Sequence, residues 1–391
     1  MSERDLDVVL FGATGFTGGL AADHLAAHAP PGLRWAIAGR NADKLAKVGE
    51  RLGMPGPTQL IADASDPASL LALTKRARVV ATTVGPFELH GEPLVKACVE
   101  GGASYVDTTG EMQFVNRMIE RYHEAAASAH VKIIPCCAFE AIPPDLGALY
   151  TLDRLPHGGP VTIEAFVKAS ATFSGGTWQT AVKGMSEARS YQRERRGKRG
   201  RAPSGGRSVR GVKARIRFRR EIGAWAVPMP TIDPQVVLRS AELLDEYGPE
   251  FRYGHYMRLR TFPSVAKIVG GAAGVFALAQ LGPTRRLLEK VKPAGEGPDE
   301  ATRARSWFTI TFLGRAGTHE VMTEVSGGDP GYTETSRMLA ESAVMLAKHA
   351  DETPERYGVI TPAVGLGRAM IERLQTIGIA FRTLPTSHDP A

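Results

Sequence analysis

The sequence predicts an α/β protein whose first 150 or so residues fold as a doubly wound parallel sheet. Short β-branched and apolar runs alternate with helical repeats over this stretch. The runs are continuous rather than alternating in polarity, as suits strands buried on both faces. A glycine-rich turn separates the first run from the first helical repeat, where a βαβ unit turns most tightly.

The elements follow in order. Val8-Val9-Leu10-Phe11 reads as the first strand, and Gly12-Ala13-Thr14-Gly15-Phe16-Thr17-Gly18 as the turn. Leu20, Ala21, His24 and Leu25 carry the helical spacing that ends near Pro30-Pro31. Trp35-Ala36-Ile37-Ala38 forms a second strand, then Gly39-Arg40 and a helix through Leu45 and Leu52. Further strands are expected at 59–62, 79–83, 104–107 and 131–135, with helices around 68–76, 93–100 and 115–129. Beyond them, 161–168, 210–220, 236–239, 252–260, 306–312 and 320–325 read as strands. A helix at 334–348 starts from the Gly327-Gly328-Asp329-Pro330-Gly331 turn, and a short helix at 367–375 precedes a strand at 379–381.

The turn has the spacing GxxGxxG rather than GxGxxG. Gly12, Gly15 and Gly18 permit the tight turn and a close approach to a pyrophosphate. The amides around Thr14, Phe16 and Thr17, at the helix start, face that anion with the positive end of the dipole. An NAD site places a carboxylate at the end of the second strand to accept from the ribose 2′-hydroxyl. Here Gly39-Arg40-Asn41 stands there, with Lys44 one helical turn beyond Arg40. Arg40, Asn41 and Lys44 therefore favour a 2′-phosphate, and the cofactor expected is NADPH. Asp63, after the third strand, either meets the adenine amine or is a helix-start turn residue. Val84, Gly85 and Pro86, after the fourth strand, lie where the nicotinamide is expected.

Composition mostly excludes. The 391 residues suggest about two domains. Net charge is +7, yet residues 189–220 alone carry +13, so the remainder is mildly acidic at −6. No aromatic interleaving accompanies the basic segment, so a nucleic-acid partner is not expected. Cys98, Cys136 and Cys137 make neither a disulfide framework nor a zinc array, so no metal is expected. The charged start MSERDLDVVLFG does not read as a signal peptide, and a cytoplasmic location is the default expectation.

Several ordered motifs then carry a resemblance. VVLFGATGFTG, AGR, VGPF, YVDTTGE (105–111), IPCCAFEAIPPDLG (134–147), SGGT (174–177), SGGDPGYTETSRMLAESA (326–343) and TPAVGLGRAMIERLQTIGIAF resemble the saccharopine-dehydrogenase-like oxidoreductases. The branch most like this chain is that of bacterial trans-acting enoyl reductases of polyketide lipid synthesis. The resemblance implies a Rossmann-type domain over 1–150 and a second α+β domain on a mixed sheet over 151–330. It also implies a C-terminal segment, 331–391, returning to the first domain. Two departures stand out. Members commonly read GFDS where this chain has Ala138-Phe139-Glu140-Ala141, so a role for that Asp and Ser does not carry over directly. The arginine-rich segment replaces a less charged stretch containing proline and tyrosine.

Enoyl reduction needs a cofactor groove, hydrogen-bond donors near the thioester oxygen, and an acid or ordered water. No Tyr-x-x-x-Lys pair stands at the expected position, since Thr109 follows Tyr105 and Arg154 follows Tyr150 at that spacing. Candidates are Thr109, Glu111, Glu140, Ser174, Thr177 and Trp178. Gly175-Gly176-Thr177 reads equally as an anion-facing turn or a capped helix start. Glu140 reads as an acid or as a salt-bridged loop carboxylate, and His90 as a loop residue before a helix. Cys136-Cys137 reads as a pair of buried, inert thiols.

Two segments bear on partners. Residues 264–281 form an apolar, small-residue helix of barely membrane-spanning length. Four readings stay open for it: a core helix, an acyl tunnel, a homodimer contact, and a peripheral membrane or lipid contact. Residues 189–220 read as a basic loop, either solvated or docking the acidic acyl-carrier domain of a polyketide synthase. The leading expectation is an NADPH-dependent enoyl reductase acting in trans on a carrier-bound thioester. A reductase of an amino-acid-derived imine and a non-catalytic NADPH-binding, lipid-associated protein are the alternatives.

Overall fold

The computed structural model describes residues 4–53, 58–170, 206–229, 231–280, 282, 284 and 297–385. The first half lays down β1 (Leu6–Phe11), α1 (Phe16–His28), β2 (Trp35–Gly39), α2 (Ala42–Leu52), β3 (Thr58–Ile61) and α3 (Pro67–Arg76). It continues with β4 (Ala77–Thr82), α4 (Phe87–Gly101), β5 (Ser104–Asp107), α5 (Met112–Ser128), β6 (Lys132–Ile134) and α6 (Ile142–Leu152). The strands pair in parallel, with Val9 opposite both Ala36 and Val80. Every residue of β1 is buried, which is why its sequence is a continuous apolar run. Asp7 is tolerated there because Arg34, Arg78 and Lys348 surround its carboxylate.

The second half contains β7 (Val161–Ser170), β8 (Ser208–Gly211), β9 (Arg217–Arg219), β10 (Ala224–Pro228), α7 (Asp233–Leu243), β11 (Glu250–Leu259) and α8 (Phe262–Ala279). Then come α9 (Glu300–Arg305), β12 (Trp307–Ala316), β13 (His319–Gly327) and α10 (Thr333–Lys348). The chain closes with β14 (Gly358–Val359), α11 (Pro362–Gly365), α12 (Gly367–Thr376) and β15 (Ala380–Leu384). Two sheets result. The first has the order β14-β6-β5-β4-β1-β2-β3 and is wholly parallel. The second runs β15-β13-β12-β7-β11-β10-β9, with β8 also on β11. It is mixed, since β7 and β8 lie parallel to β11 while the other pairs are antiparallel.

Helix α6 joins the two sheets, with all its residues except Tyr150 buried. It comes close enough to β12 that a methyl group on Gly147 would overlap the ring of Phe312. Helix α10 packs on α1, β1, β4 and β5. Ser336 Oγ donates to the Thr17 carbonyl at 3.0 Å. The C-terminal stretch serves both sheets, β14 extending the first and β15 the second.

The strand expected at 236–239 lies inside helix α7. Pro234 fits a helix start, and Val236, Val237, Ser240 and Ala241 are buried with helical spacing. The single strand expected at 210–220 is two, β8 and β9, each with its own partner strand. Helix α4 begins at Phe87 rather than near Pro93, which it contains. Strands β10 and β14 and helix α6 had no expected counterpart.

Candidate cofactor and active site

The carboxyl ends of β1 and β4, adjacent at the centre of the first sheet, form its switch point. Gly12 there has φ +98°, and a Cβ on it would come within 2.8 Å of Thr83 Oγ1 and 2.9 Å of Val84 Cγ2. A Cβ on Gly18 would overlap the Gly12 carbonyl. Both glycines are required because the Gly12 backbone lies against Gly18 of α1 and against the Thr83 and Val84 side chains after β4. Gly15 is the N-cap of α1, with no side-chain cap and no acid in the first turn. Gly19 N closes that turn onto Gly15 O at 2.8 Å, so the amides of Phe16, Thr17 and Gly18 point out of the helix end. Thr14 and Gly15 are exposed beside them. This is a built receptor for an anion, and a dinucleotide pyrophosphate fits it.

Arg40 and Lys44 are exposed just beyond β2. Asn41 accepts from Lys44 N at 2.8 Å, so its side chain caps α2. Asp63 forms a tight local turn, accepting from Ser65 N at 2.8 Å and Ser65 Oγ at 2.7 Å. These bonds, with Arg40 and His90 nearby, hold its carboxyl below the usual range. Arg40, Asp63 and exposed His90 thus share one edge with the glycine turn.

The loops after β4, β5 and β6 meet next to it. Glu111 accepts from the amides of Phe87 (2.9 Å) and Glu88 (2.8 Å), which commits its carboxylate to capping α4. It is therefore no free acid. Thr109 is buried, and its hydroxyl accepts from Glu111 N at 3.1 Å. Asp107 is the hub of this corner: it accepts from Tyr105 Oη (2.6 Å), Thr109 N (2.9 Å) and Cys136 N (2.8 Å). Cys136 has φ 65°, a conformation unusual for a non-glycine residue, and the Asp107 bond holds it there. Burial pushes the Cys136 and Cys137 thiols well up, in keeping with inert cysteines.

Glu140 follows on the same loop, half-buried, with its carboxyl beside Gly110; a Cβ on Gly110 would sit 3.8 Å from Glu140 Cδ. Among the described residues no ion pair holds its carboxylate, contrary to the salt-bridged reading, and only its own backbone N–H bonds to it. Burial, helped by the negative charge of Asp233, pushes its pKa up to about 7. Asp233, at the start of α7, is buried and pushed to about 7 by desolvation. Behind it His255 Nε2 lies 3.8 Å from Asp233 Oδ1, and His255 Nδ1 lies 3.0 Å from the Tyr253 hydroxyl. Burial drives the imidazole pKa down to about 3, so it is neutral. Two carboxyls that disfavour each other's charge thus stand where the first sheet meets the second. No local pattern marks Asp233, His255 or Tyr253, because sheet pairing and α7 bring them in from far along the chain.

Ser174, Thr177 and Trp178 lie outside the described residues, as do residues 189–205. The described rest of the basic segment is solvated only in part: Lys213 and Arg215 are exposed between β8 and β9, while three other arginines are paired. Arg207 donates to Asp245 and to the carbonyls of Ala241, Leu244 and Gly248, and Arg217 and Arg219 both pair with buried Glu164.

Residues 8–134 match the saccharopine dehydrogenase NADP binding domain family. Over whole chains, the saccharopine dehydrogenase-like oxidoreductase of Homo sapiens is 32% identical, covering 98% of this chain and 99% of its own. The chain belongs to the saccharopine dehydrogenase-like oxidoreductase family. A Mycobacterium bovis member named trans-acting enoyl reductase is 33% identical over 98% of both chains. A Mycobacterium tuberculosis member, provisionally given the same name, is 36% identical over 97% of this chain and 98% of its own. The apo saccharopine dehydrogenase (L-Glu forming) of Saccharomyces cerevisiae shares the fold, with a TM-score of 0.55, 12% identity, and coverage of 97% and 99%. Membership makes this family protein an NADP-dependent oxidoreductase, and the glycine cradle and Arg40 edge fit that cofactor.

Proposed function

We propose that this family member reduces the carbon–carbon double bond of an enoyl thioester presented in trans by the acyl-carrier domain of a polyketide synthase. Bound NADPH supplies a hydride to the β-carbon. The amides of Phe16, Thr17 and Gly18 receive the pyrophosphate, Arg40 and Lys44 the 2′-phosphate, and Val84, Gly85 and Pro86 flank the nicotinamide. Glu140 gives a proton to the α-carbon and regains one from solvent. Asp233 helps keep it protonated near neutrality through like-charge repulsion.

The observation that carries this reading is a protonatable carboxyl beside the cofactor cradle. Enoyl reduction leaves an electron pair on carbon that an acid must quench. A protonated imine needs no such acid. Relatives bearing the enoyl reductase name along their whole length support the same choice. The carrier is proposed to dock on the basic stretch 189–220, where Lys213, Arg215 and Arg220 are exposed. Turnover with NADPH tests the proposal. A carrier-bound enoyl thioester is expected to be consumed faster than a small thioester mimic, and an imine not at all. Imine turnover without enoyl turnover would favour saccharopine-type chemistry, and cofactor binding without either would favour a non-catalytic protein.

A further inference from the structure

Helix α8 is unlike every other long helix in the described chain. Its 18 residues have a mean hydropathy of 1.6, yet only 11% of them are buried. Val265 and Ala279 alone are inside, so this is not the core helix that its sequence allows. Phe262 (59% exposed), Ile268 (41%), Val269 (38%) and Leu278 (44%) face outward. The apolar surface continues onto the sheet edge through Ile216 and Phe218, both about half exposed. Trp225 bridges the two parts, with its ring centroid 5.7 Å from Phe218 and 5.2 Å from Phe262. An apolar patch this continuous marks a surface with a partner.

Charge decides which partner. Residues 251–280 contain no acid at all, while Arg260 and Lys267 on or beside the helix are exposed. A second copy packed face to face would set these cations against one another with no acid on the helix to offset them. A spanning orientation would carry Lys267 into the hydrocarbon, whereas a helix lying in the interface lets it reach the headgroups. Aromatic residues and Arg260 at one end, with Lys267 on the helix itself, fit the headgroup–acyl boundary of an anionic bilayer. We propose that α8, with Phe218 and Trp225, docks the protein on an anionic membrane surface as a peripheral helix. This does not depend on the reaction proposed above.

Co-sedimentation of the full chain with phosphatidylcholine vesicles, with and without phosphatidylglycerol, tests it. Binding is expected with phosphatidylglycerol only and is expected to weaken with salt. The exposed double substitution Ile268→Glu and Val269→Glu is expected to lower vesicle affinity by about tenfold or more while leaving NADPH titration unchanged. Lys267→Glu, a milder change, is expected to weaken binding in the same direction. Equal binding to both vesicle types would overturn the anionic assignment. No binding to either, binding unaffected by the double substitution, or a dimer that this substitution dissociates would overturn the membrane assignment.

Discussion

Glu140 shows what a single residue's surroundings do to its chemistry. A carboxyl on an open loop would be ionised at neutral pH, but burial and Asp233 bring its pKa to about 7. As a general acid it must be protonated, so turnover should be full below pH 7 and fall as pH rises through about 7. Glu140→Gln keeps the shape and removes the proton. It should lower kcat by about 10²–10⁴-fold and flatten that alkaline fall, with NADPH affinity retained. A pH–rate profile of the two proteins checks this; an unchanged profile in the variant would remove Glu140 from the chemistry. At this scale the sequence showed much of the cofactor cradle, since Gly12, Gly15 and Gly18 act through a local turn. It showed Glu111 as an acid only because the amides it caps, those of Phe87 and Glu88, sit on another loop. Asp233 was hidden further, three residues ahead of the paired valines that read as strand.

At the scale of elements, local pattern sufficed where a strand or helix answers to its own residues and failed where neighbours decide. The parallel strands β1, β2 and β4 were legible because burial on both faces leaves an unmistakable apolar run. The stretch 210–220 was not, because its arginines looked solvated while two of them pair inside the second sheet. Glu164 on β7, almost fully buried, accepts Arg217 and Arg219 from β9, and Arg315 of β12 stands 3.7 Å away. Removing this carboxylate would leave the buried Arg219 guanidinium with Glu221 alone, 3.3 Å away. Glu164→Gln is expected to destabilise the protein by about 3 kcal/mol or more, read as a lower midpoint in urea denaturation. A midpoint within error of the parent would show that the arginines find water instead.

Across the whole molecule, the site exists only where the two sheets meet. The first sheet supplies the cofactor edge and the Glu140 loop, and the second brings His255 and Tyr253 on β11 behind Asp233. Helix α6 fixes the sheets to each other, and α10 ties the chain's end back onto α1, where His24 Nε2 and Glu341 Oε1 lie 2.6 Å apart. Ordered motifs foretold both sheets, but the juxtaposition of their residues depends on pairings no local window contains. The most direct test of the account follows the hydride. Incubating the protein with NADPH deuterated at the transferring C4 position and a carrier-bound enoyl thioester in ordinary water should place one deuteron on the product's β-carbon and none on its α-carbon. Deuterium left on the cofactor, or delivered to any other atom, would contradict it.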